Sequence, residues 1–375
     1  MNRKQRINLP EAVPHLNTYY FYLTHGCNLA CRHCWLSPEF QKNDGSTGGH
    51  LDFNLFKQAI DEGIPLGLGS AKLTGGEPLL HPDFVRMVDY LNEKEIRVTI
   101  ETNGTLLTKD LAVYLKENST AWFISVSIDG ANAQTHDRFR GVKGAFDKST
   151  RAIRYLSEAG YKPQLIMSIH EGNVSEIEET VRLAESLGAG SVKFNLIQPT
   201  GRGKLMQKRH EVLDIHRLIE IGDWIERDLQ KRTSIPLYYS WPMAFDTLEN
   251  LLRGGSGTCG VFSILGILSS GHYALCGIGV HLPDLVYGQI GVDKLEDVWV
   301  NNTMLHRLRQ DLPDKLEGVC HECIFRDTCL GSCVASMYHR TGRMTASDWF
   351  CQCAYDEGLF PESRFVMEAF KLDKN

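Results

Sequence analysis

The run LTHGCNLACRHCW holds Cys27, Cys31 and Cys34, separated by three and then two residues. In a chain that shows no secretion signal, thiols packed this closely serve as metal ligands or catalytic groups rather than as disulfides. A structural zinc ion demands four closed ligands, and a cubane iron-sulfur cluster normally has a cysteine on each iron. Three cysteines therefore either await a fourth zinc ligand, for which His25 and His33 are at hand, or leave one iron open to chelate a substrate or cofactor. Eight more cysteines crowd the last third: Cys259, Cys276, Cys320, Cys323, Cys329, Cys333, Cys351 and Cys353. None lies between Cys34 and Cys259.

The intervening stretch reads as alternating strands and helices. Runs rich in β-branched and aromatic residues occur at YYFYLT (19–24), AKLTG (71–75), IRVTIET (96–102), WFISVSI (122–128), LIMSI (165–169) and SVKFNLI (191–197). Amphipathic segments separate them; in DFVRMVDYLNEK, Phe84, Met87, Val88 and Leu91 recur at helical spacing behind Pro82, a residue suited to a first helical position. Six such repeats predict an α/β fold, a partial (β/α)6 TIM-like barrel with its chemistry at the carboxyl ends of parallel strands. The suggestive residues stand there. The cysteine triplet follows the first run, GGEP (75–78) the second and ETNGT (101–105) the third; SIDG (127–130) ends the fourth and NLIQPTGR (195–202) the sixth.

Composition sets the outer limits. At 375 residues the chain exceeds the usual single-domain size, so a barrel with an appended module is expected. A hydrophobic share of 42% and a charged share of 23% are those of a globular protein, and no apolar run is long enough to span a bilayer. The net charge of -6 gives no general pull toward nucleic acid or anionic lipid, and the basic start MNRKQR lacks the apolar segment of a secretion signal. The expectation is a cytoplasmic protein with neither a nucleic-acid nor a membrane partner.

A C-x3-C-x2-C motif after the first strand of a β/α barrel, with Gly-Gly-Glu-Pro after the second, resembles the radical S-adenosylmethionine enzymes. The resemblance implies a 4Fe-4S cluster on Cys27, Cys31 and Cys34. Its open iron would hold the amino and carboxylate groups of S-adenosyl-L-methionine, whose sulfonium the reduced cluster cleaves to give a 5'-deoxyadenosyl radical. It also implies that Gly75, Gly76, Glu77 and Pro78 receive the methionyl ammonium, since glycine leaves backbone atoms approachable. Thr102, Asn103 and Ser127 become candidates for ribose or methionyl contacts, Arg140 in DRFRG for the methionyl carboxylate, and Trp35 for packing beside adenine. Each has a plainer reading, as a residue satisfying its own turn or, for Trp35, as a core residue. The glycine pair alone would mark only a tight strand-to-helix corner.

From Cys259 the pattern runs C-x11-G-x4-C through Gly271 and Cys276, then C-x2-C-x5-C-x3-C through Cys320, Cys323, Cys329 and Cys333, and on to Cys351. This is similar to the seven-cysteine SPASM extension, which carries auxiliary 4Fe-4S clusters in a subset of these enzymes; C-x2-C by itself reads generically as a zinc ribbon. Carried over residue by residue, Cys320, Cys323, Cys329 and Cys351 fill an outer cluster, and Cys259, Cys276 and Cys333 hold an inner one. The implied total is three 4Fe-4S clusters. The inner set is one ligand short, because sulfatase-maturing members place another cysteine where this chain has LLRGGSG. An open site, Cys353 or His272 would complete it. Cys353 reads otherwise as an inert thiol, or as a hydrogen-atom donor to a substrate radical of the kind that peptide epimerases of the superfamily use.

Members with this extension mostly modify peptides or proteins. The resemblance thus implies a maturase of a ribosomally synthesised peptide, acting by crosslinking, epimerisation or backbone alteration. The stretch CVASMYHRTGRMTASDWFC also resembles the pyrroloquinoline quinone and haem d1 branches, which keeps small-molecule cofactor assembly open as an alternative. Two further alternatives are a formylglycine-forming sulfatase maturase and a non-enzymatic iron-sulfur scaffold or electron-transfer protein. Only 26 residues precede Cys27, too few for the winged-helix peptide-recognition domain of many maturases. The expected partners are therefore a peptide substrate, which either uses a separate leader-binding protein or needs none, and a reductant such as flavodoxin or ferredoxin.

The expected division is an N-terminal segment over 1–16, the barrel over 17–200, a bridging region over 201–258 with the helix EVLDIHRLIEIGDWIERDLQ, the SPASM domain over 259–358, and a tail over 359–375 that is a short helix or a mobile end. ILSSGHYALC reads as a hairpin with Gly271 at its turn. Asp246 and Asp284 lie near the auxiliary region, but position alone does not select either as a base.

Overall fold

The computed structural model describes residues 7–41, 49–252 and 259–366. The start MNRKQR, the RGGSG portion of LLRGGSG and the last part of the tail lie outside the described residues. Each of the six expected runs forms a strand: β1 Thr18–Tyr22, β2 Ser70–Thr74, β3 Arg97–Thr102, β4 Ala121–Ser127, β5 Gln164–Ile169 and β6 Ser191–Leu196. Four shorter strands join them: β7 Leu237–Tyr239, β8 Ile264–Ile267, β9 His272–Ala274 and β10 Val286–Gln289. All ten share one sheet in the order β10-β9-β8-β1-β2-β3-β4-β5-β6-β7. From β8 through β7 every pairing is parallel, and β8-β9-β10 is antiparallel. The fold is thus the α/β partial barrel, with its sheet continued at both edges by strands from beyond the six repeats.

Alternation along the strands explains the layers. Phe21, Leu73, Ile100, Val126, Met167 and Phe194 are each at most 1% exposed, part of the core that the crossover helices cover. Helix Phe84–Glu93 contributes Phe84, Met87, Val88 and Leu91 to the same core, each such burial stabilising by roughly 1.5–3 kcal/mol. That helix begins at Phe84, so Pro82 is not its first residue. The Asp83 amide donates to His81 Nδ1 at 3.0 Å, which holds residues 81–83 in a turn. In the bridging region, Asp214 caps helix Ile215–Arg227 by accepting from the Arg217 amide. The β8–β9 hairpin turns at Gly271, whose φ of 80° suits glycine. The described part of the tail forms a short turn at Glu362–Arg364, tied down by the Ile324 amide on Arg364 O at 2.8 Å.

Candidate active site

The carboxyl ends of β1–β6 enclose a cavity of about 510 Å³. Its wall brings together Cys27, Cys31, Cys34, Trp35, Gly75, Gly76, Glu77, Thr102, Asn103, Ser127 and Arg140, residues drawn from five separate motifs. Pro78 stands just behind, opening a short helical turn at Pro78–Leu80.

Two neighbours position the cysteine loop. Helix Ala133–Arg140 ends against it: the Ala30 and Arg32 amides donate to the Arg140 and Phe139 carbonyls at 3.0 Å each. Gly141, with φ of 76°, lets the chain turn there, because a Cβ would lie 2.8 Å from Ala30 O. On the other side Asn103 Nδ2 donates to Asn28 Oδ1 at 2.9 Å, and Asn28 Nδ2 to Thr105 Oγ1 at 2.8 Å. The sulfurs already face donors: Leu29 N is 3.4 Å and Asn103 Nδ2 3.8 Å from Cys27 Sγ, and Arg140 Nη1 is 3.6 Å from Cys31 Sγ.

The glycine corner is built for contact between backbones. A Cβ at Gly76 would fall 1.9 Å from Gly26 O, so no side chain fits without separating this corner from the cysteine loop. Glu77 is 1% exposed and accepts from Thr102 Oγ1 at 2.6 Å, Asn103 N at 2.8 Å and Leu79 N at 3.1 Å. Burial lifts its carboxyl to about 7 against these donors. Glu77 and Thr102 thus brace the corner as well as line the cavity. Arg140 pairs through Nε with Asp129 Oδ2 at 2.6 Å. Burial alone would raise Asp129, but Arg140, His33 and His136 together hold it below the usual range. Trp35 packs edge-on against Tyr22, and Gly277 gives both rings room.

The family model described as the Radical SAM superfamily matches residues 21–184. A curated relative named AdoMet-dependent heme synthase, from Methanosarcina barkeri, is 32% identical over 349 residues, which is 88% of this chain and 94% of that protein. The chain belongs to the radical S-adenosylmethionine superfamily. Mycofactocin maturase MftC of Mycobacterium tuberculosis is 27% identical over 348 residues, 92% of this chain and 85% of its own. Streptococcus suis SuiB, solved with S-adenosylmethionine and also with its precursor peptide SuiA, has the same fold, with TM-scores of 0.70 and 0.69 at 16% identity. SuiB covers 91% of this chain in both states, over 78% and 76% of its own length.

The radical S-adenosylmethionine cofactor set fits what the cavity offers. Cys27, Cys31 and Cys34 converge on one end of it, N–H groups face two of the sulfurs, and its volume lies in the range of ligand pockets. These three would hold the 4Fe-4S cluster, and the Gly75–Glu77 corner would border S-adenosylmethionine. Among the described residues no three His, Cys, Asp or Glu side chains close on one point at single-ion spacing, whereas a cubane spreads its thiolates over separate irons.

The auxiliary cysteines sort into two sets. Cys320, Cys323, Cys329 and Cys351 line one small pocket together with Asp348. Asp348 N donates to Cys320 Sγ at 3.4 Å and Phe325 N to Cys323 Sγ at 3.5 Å. A hydrogen bond from Cys351 draws the Cys320 thiol down, while burial pushes Cys329 up to about 12. Cys259, Cys276 and Cys333 form the second set, in which Cys333 helps to raise the Cys259 and Cys276 thiols, and Cys333 also lines the main cavity. Burial is the largest cause for Cys259 and Cys276, both pushed up to about 12, so loading a cluster there would release protons.

The structure does not bring Cys353 to either set's cavity. It is exposed on helix Trp349–Asp356, beside Arg340 and Asp356, and its place there is that of a surface thiol. His272 opens β9 and meets Ser270 Oγ at 2.9 Å, while Cys276 lies four residues on, about 13 Å along an extended chain. Asp246 accepts from Trp241 Nε1 and Asn250 Nδ2, and Asp284 from Tyr338 Oη; neither lines the cavity.

Sequence reasoning missed the charged groups inside the barrel. Lys72 on β2 pairs with Glu101 on β3 at 2.8 Å and lies over the Tyr20 ring, while Lys193 on β6 and Arg202 beyond it also face the cavity. The signal was present, because parallel strands covered on both faces should be apolar throughout, and a lysine or glutamate inside one marks a wet lumen.

Proposed function

We propose that this radical S-adenosylmethionine enzyme is a maturase that takes a hydrogen atom from a ribosomally synthesised peptide. The observation that carries the reading is a single cavity whose wall holds both the cysteine triplet and Cys333 of the inner auxiliary set. When bound, the cluster and S-adenosylmethionine supply a 5'-deoxyadenosyl radical. Cys27, Cys31 and Cys34 hold the metal, the Glu77 brace fixes the Gly75–Gly76 corner, and Arg140 faces Cys31 with its charge balanced by Asp129. Thr102, Asn103 and Ser127 border the cofactor at the strand ends. The outer quartet and inner trio would each hold an auxiliary 4Fe-4S cluster, which would supply redox capacity beside the cavity, for three clusters in all. Support for a peptide comes from the complete SPASM-type cysteine set, from the relative named a mycofactocin maturase, and from the fold neighbour solved with a precursor peptide.

A leader-binding protein and a flavodoxin or ferredoxin reductant complete the scheme, in the reducing cytoplasm that so many free thiols require. No helix among the described residues is long and apolar enough to cross a membrane. The barrel (17–200), bridging region and auxiliary domain (259–358) are proposed as one working unit.

A second reading, modification of a haem precursor, is favoured by the relative named a heme synthase, matched over 94% of its length. Anaerobic incubation with short peptides encoded beside the gene, and separately with an iron porphyrin, decides between them by mass spectrometry. A peptide mass change accompanied by 5'-deoxyadenosine supports the maturase; turnover of the porphyrin alone transfers the assignment to the second reading.

A further inference from the structure

Six ionisable side chains of fixed or strong charge line the cavity: Lys72, Glu77, Glu101, Arg140, Lys193 and Arg202. Three of them are matched within the protein and a fourth is saturated. Lys72 pairs with Glu101 at 2.8 Å, Arg140 with Asp129 at 2.6 Å, and Glu77 accepts three donors. Lys193 and Arg202 have no ion-pair partner within 4.0 Å among the described residues. Arg202 Nη2 reaches only the Pro38 carbonyl at 3.4 Å, and its buried Nε has no partner.

Lys193 stands in the middle of β6, on the same strand face as Asn195, and both line the cavity. In the sheet order β6 is four strands from β2, whose end carries the GGEP corner, and both line the one cavity. Burial pulls the Lys193 ammonium down, the attraction of Glu101 opposes this, and Lys72 adds repulsion. An ammonium in such a lumen with no contact ion pair, attracted only from a distance by a Glu101 already paired with Lys72, is costly to hold, and a ligand carboxylate is the group that relieves it.

We propose that Lys193, with Arg202 as a second cation, anchors a carboxylate of the substrate in the barrel lumen. This rests on the radical S-adenosylmethionine reading of the cavity and adds the chemistry of what enters it. Acidic side chains or the carboxyl terminus of a peptide meet the requirement, as do the carboxylates of a porphyrin.

The test uses anaerobically reconstituted enzyme with S-adenosylmethionine present and two matched probe pairs. One pair is haemin and its dimethyl ester; the other is an N-acetylated apolar tetrapeptide as free acid and as carboxyl-terminal amide. Equilibrium dialysis should show the acid binding about tenfold or more tighter than its neutral partner in at least one pair, the size of one charge-assisted hydrogen bond. In Lys193→Met the preference should fall to within about twofold, Lys193→Arg should keep most of it, and Arg202→Met should lose about threefold. Iron content and melting temperature report folding; if Lys193→Met loads less iron than wild type, Lys193→Gln is read in its place. Equal binding of acid and neutral form in both pairs, or a preference that Lys193→Met retains, overturns the proposal. The pair that shows the preference names the source of the carboxylate. Formation of 5'-deoxyadenosine in the same wild-type preparation reads the radical activity separately, so an anchor that fails with cleavage intact leaves the activity standing.

Discussion

Two hollows in this molecule are lined by cysteines, and they differ in what they leave free. The barrel mouth holds the Cys27, Cys31 and Cys34 triplet, with Cys333 of the inner set on the same wall, around about 510 Å³ of open volume, while the outer auxiliary pocket holds a set of four around about 10 Å³. Ligand type is the same; ligand count and space assign the use. A set of three beside an open, charged cavity suits chemistry on a bound molecule, and a set of four in a closed pocket suits a group that is held and never exchanged.

The largest effect is expected where the mouth has no slack. Gly76→Ala drives a Cβ into Gly26 O, a backbone atom that cannot swing aside, and overpacking of this kind costs about 1–3 kcal/mol or more. Cleavage of S-adenosylmethionine should fall by about 100-fold or more, in step with a loss of up to about four irons per chain as the mouth fails to load. A Gly76→Ala enzyme that cleaves at the wild-type rate would break the contrast. The next effect belongs to the closed pocket. Cys351→Ala should remove a second set of about four irons and lower the melting temperature by roughly 5–10 °C, because a held metal group is part of folding stability.

A smaller effect tests the scaffold behind that pocket. Glu226 and Asp246 share the donors Trp241 Nε1 and Asn250 Nδ2, and burial, then Asp246, raises the Glu226 carboxyl to about 7. The folded state therefore holds this proton more tightly than the unfolded chain. Its contribution is complete below about pH 4.5 and is lost as pH rises to about 7. Glu226→Gln should flatten the fall of melting temperature between those values and gain about 2 °C at pH 8 after allowance for solvent screening. The smallest effect is at Cys353, exposed and away from both hollows. Cys353→Ser should leave iron content unchanged and shift melting by no more than about 1 °C. Loss of iron in that variant would return Cys353 to the inner set.

The strands and their carboxyl-end motifs were legible because each carries its own local signal. Hydrophobic runs marked β1–β6 to within a residue or two, and glycines and cysteines marked the turns. Strand β7 was not, since three residues give too little alternation, and β8 was legible only as an arm of the Gly271 hairpin; their parallel partners, β6 and β1, lie far away in sequence. The braced state of Glu77 was equally hidden, because its donors Thr102 and Asn103 arrive from the next strand. Lys72, Glu101 and Lys193 were visible within the strand runs, but their meaning depends on which face closes on itself. Cys353 was singled out as the one cysteine left outside the pattern while the inner set lacked a ligand, and its exposure on the helix was not legible from that count.

The most direct measurement of the account is iron and labile sulfide per chain, with reductant-dependent 5'-deoxyadenosine, on anaerobically reconstituted wild type and the Cys27→Ala, Cys31→Ala, Cys34→Ala triple variant. About twelve irons falling to about eight, with cleavage lost entirely, is the expected result. Cleavage that survives the triple variant, or zinc in place of iron in the quartet, would contradict it.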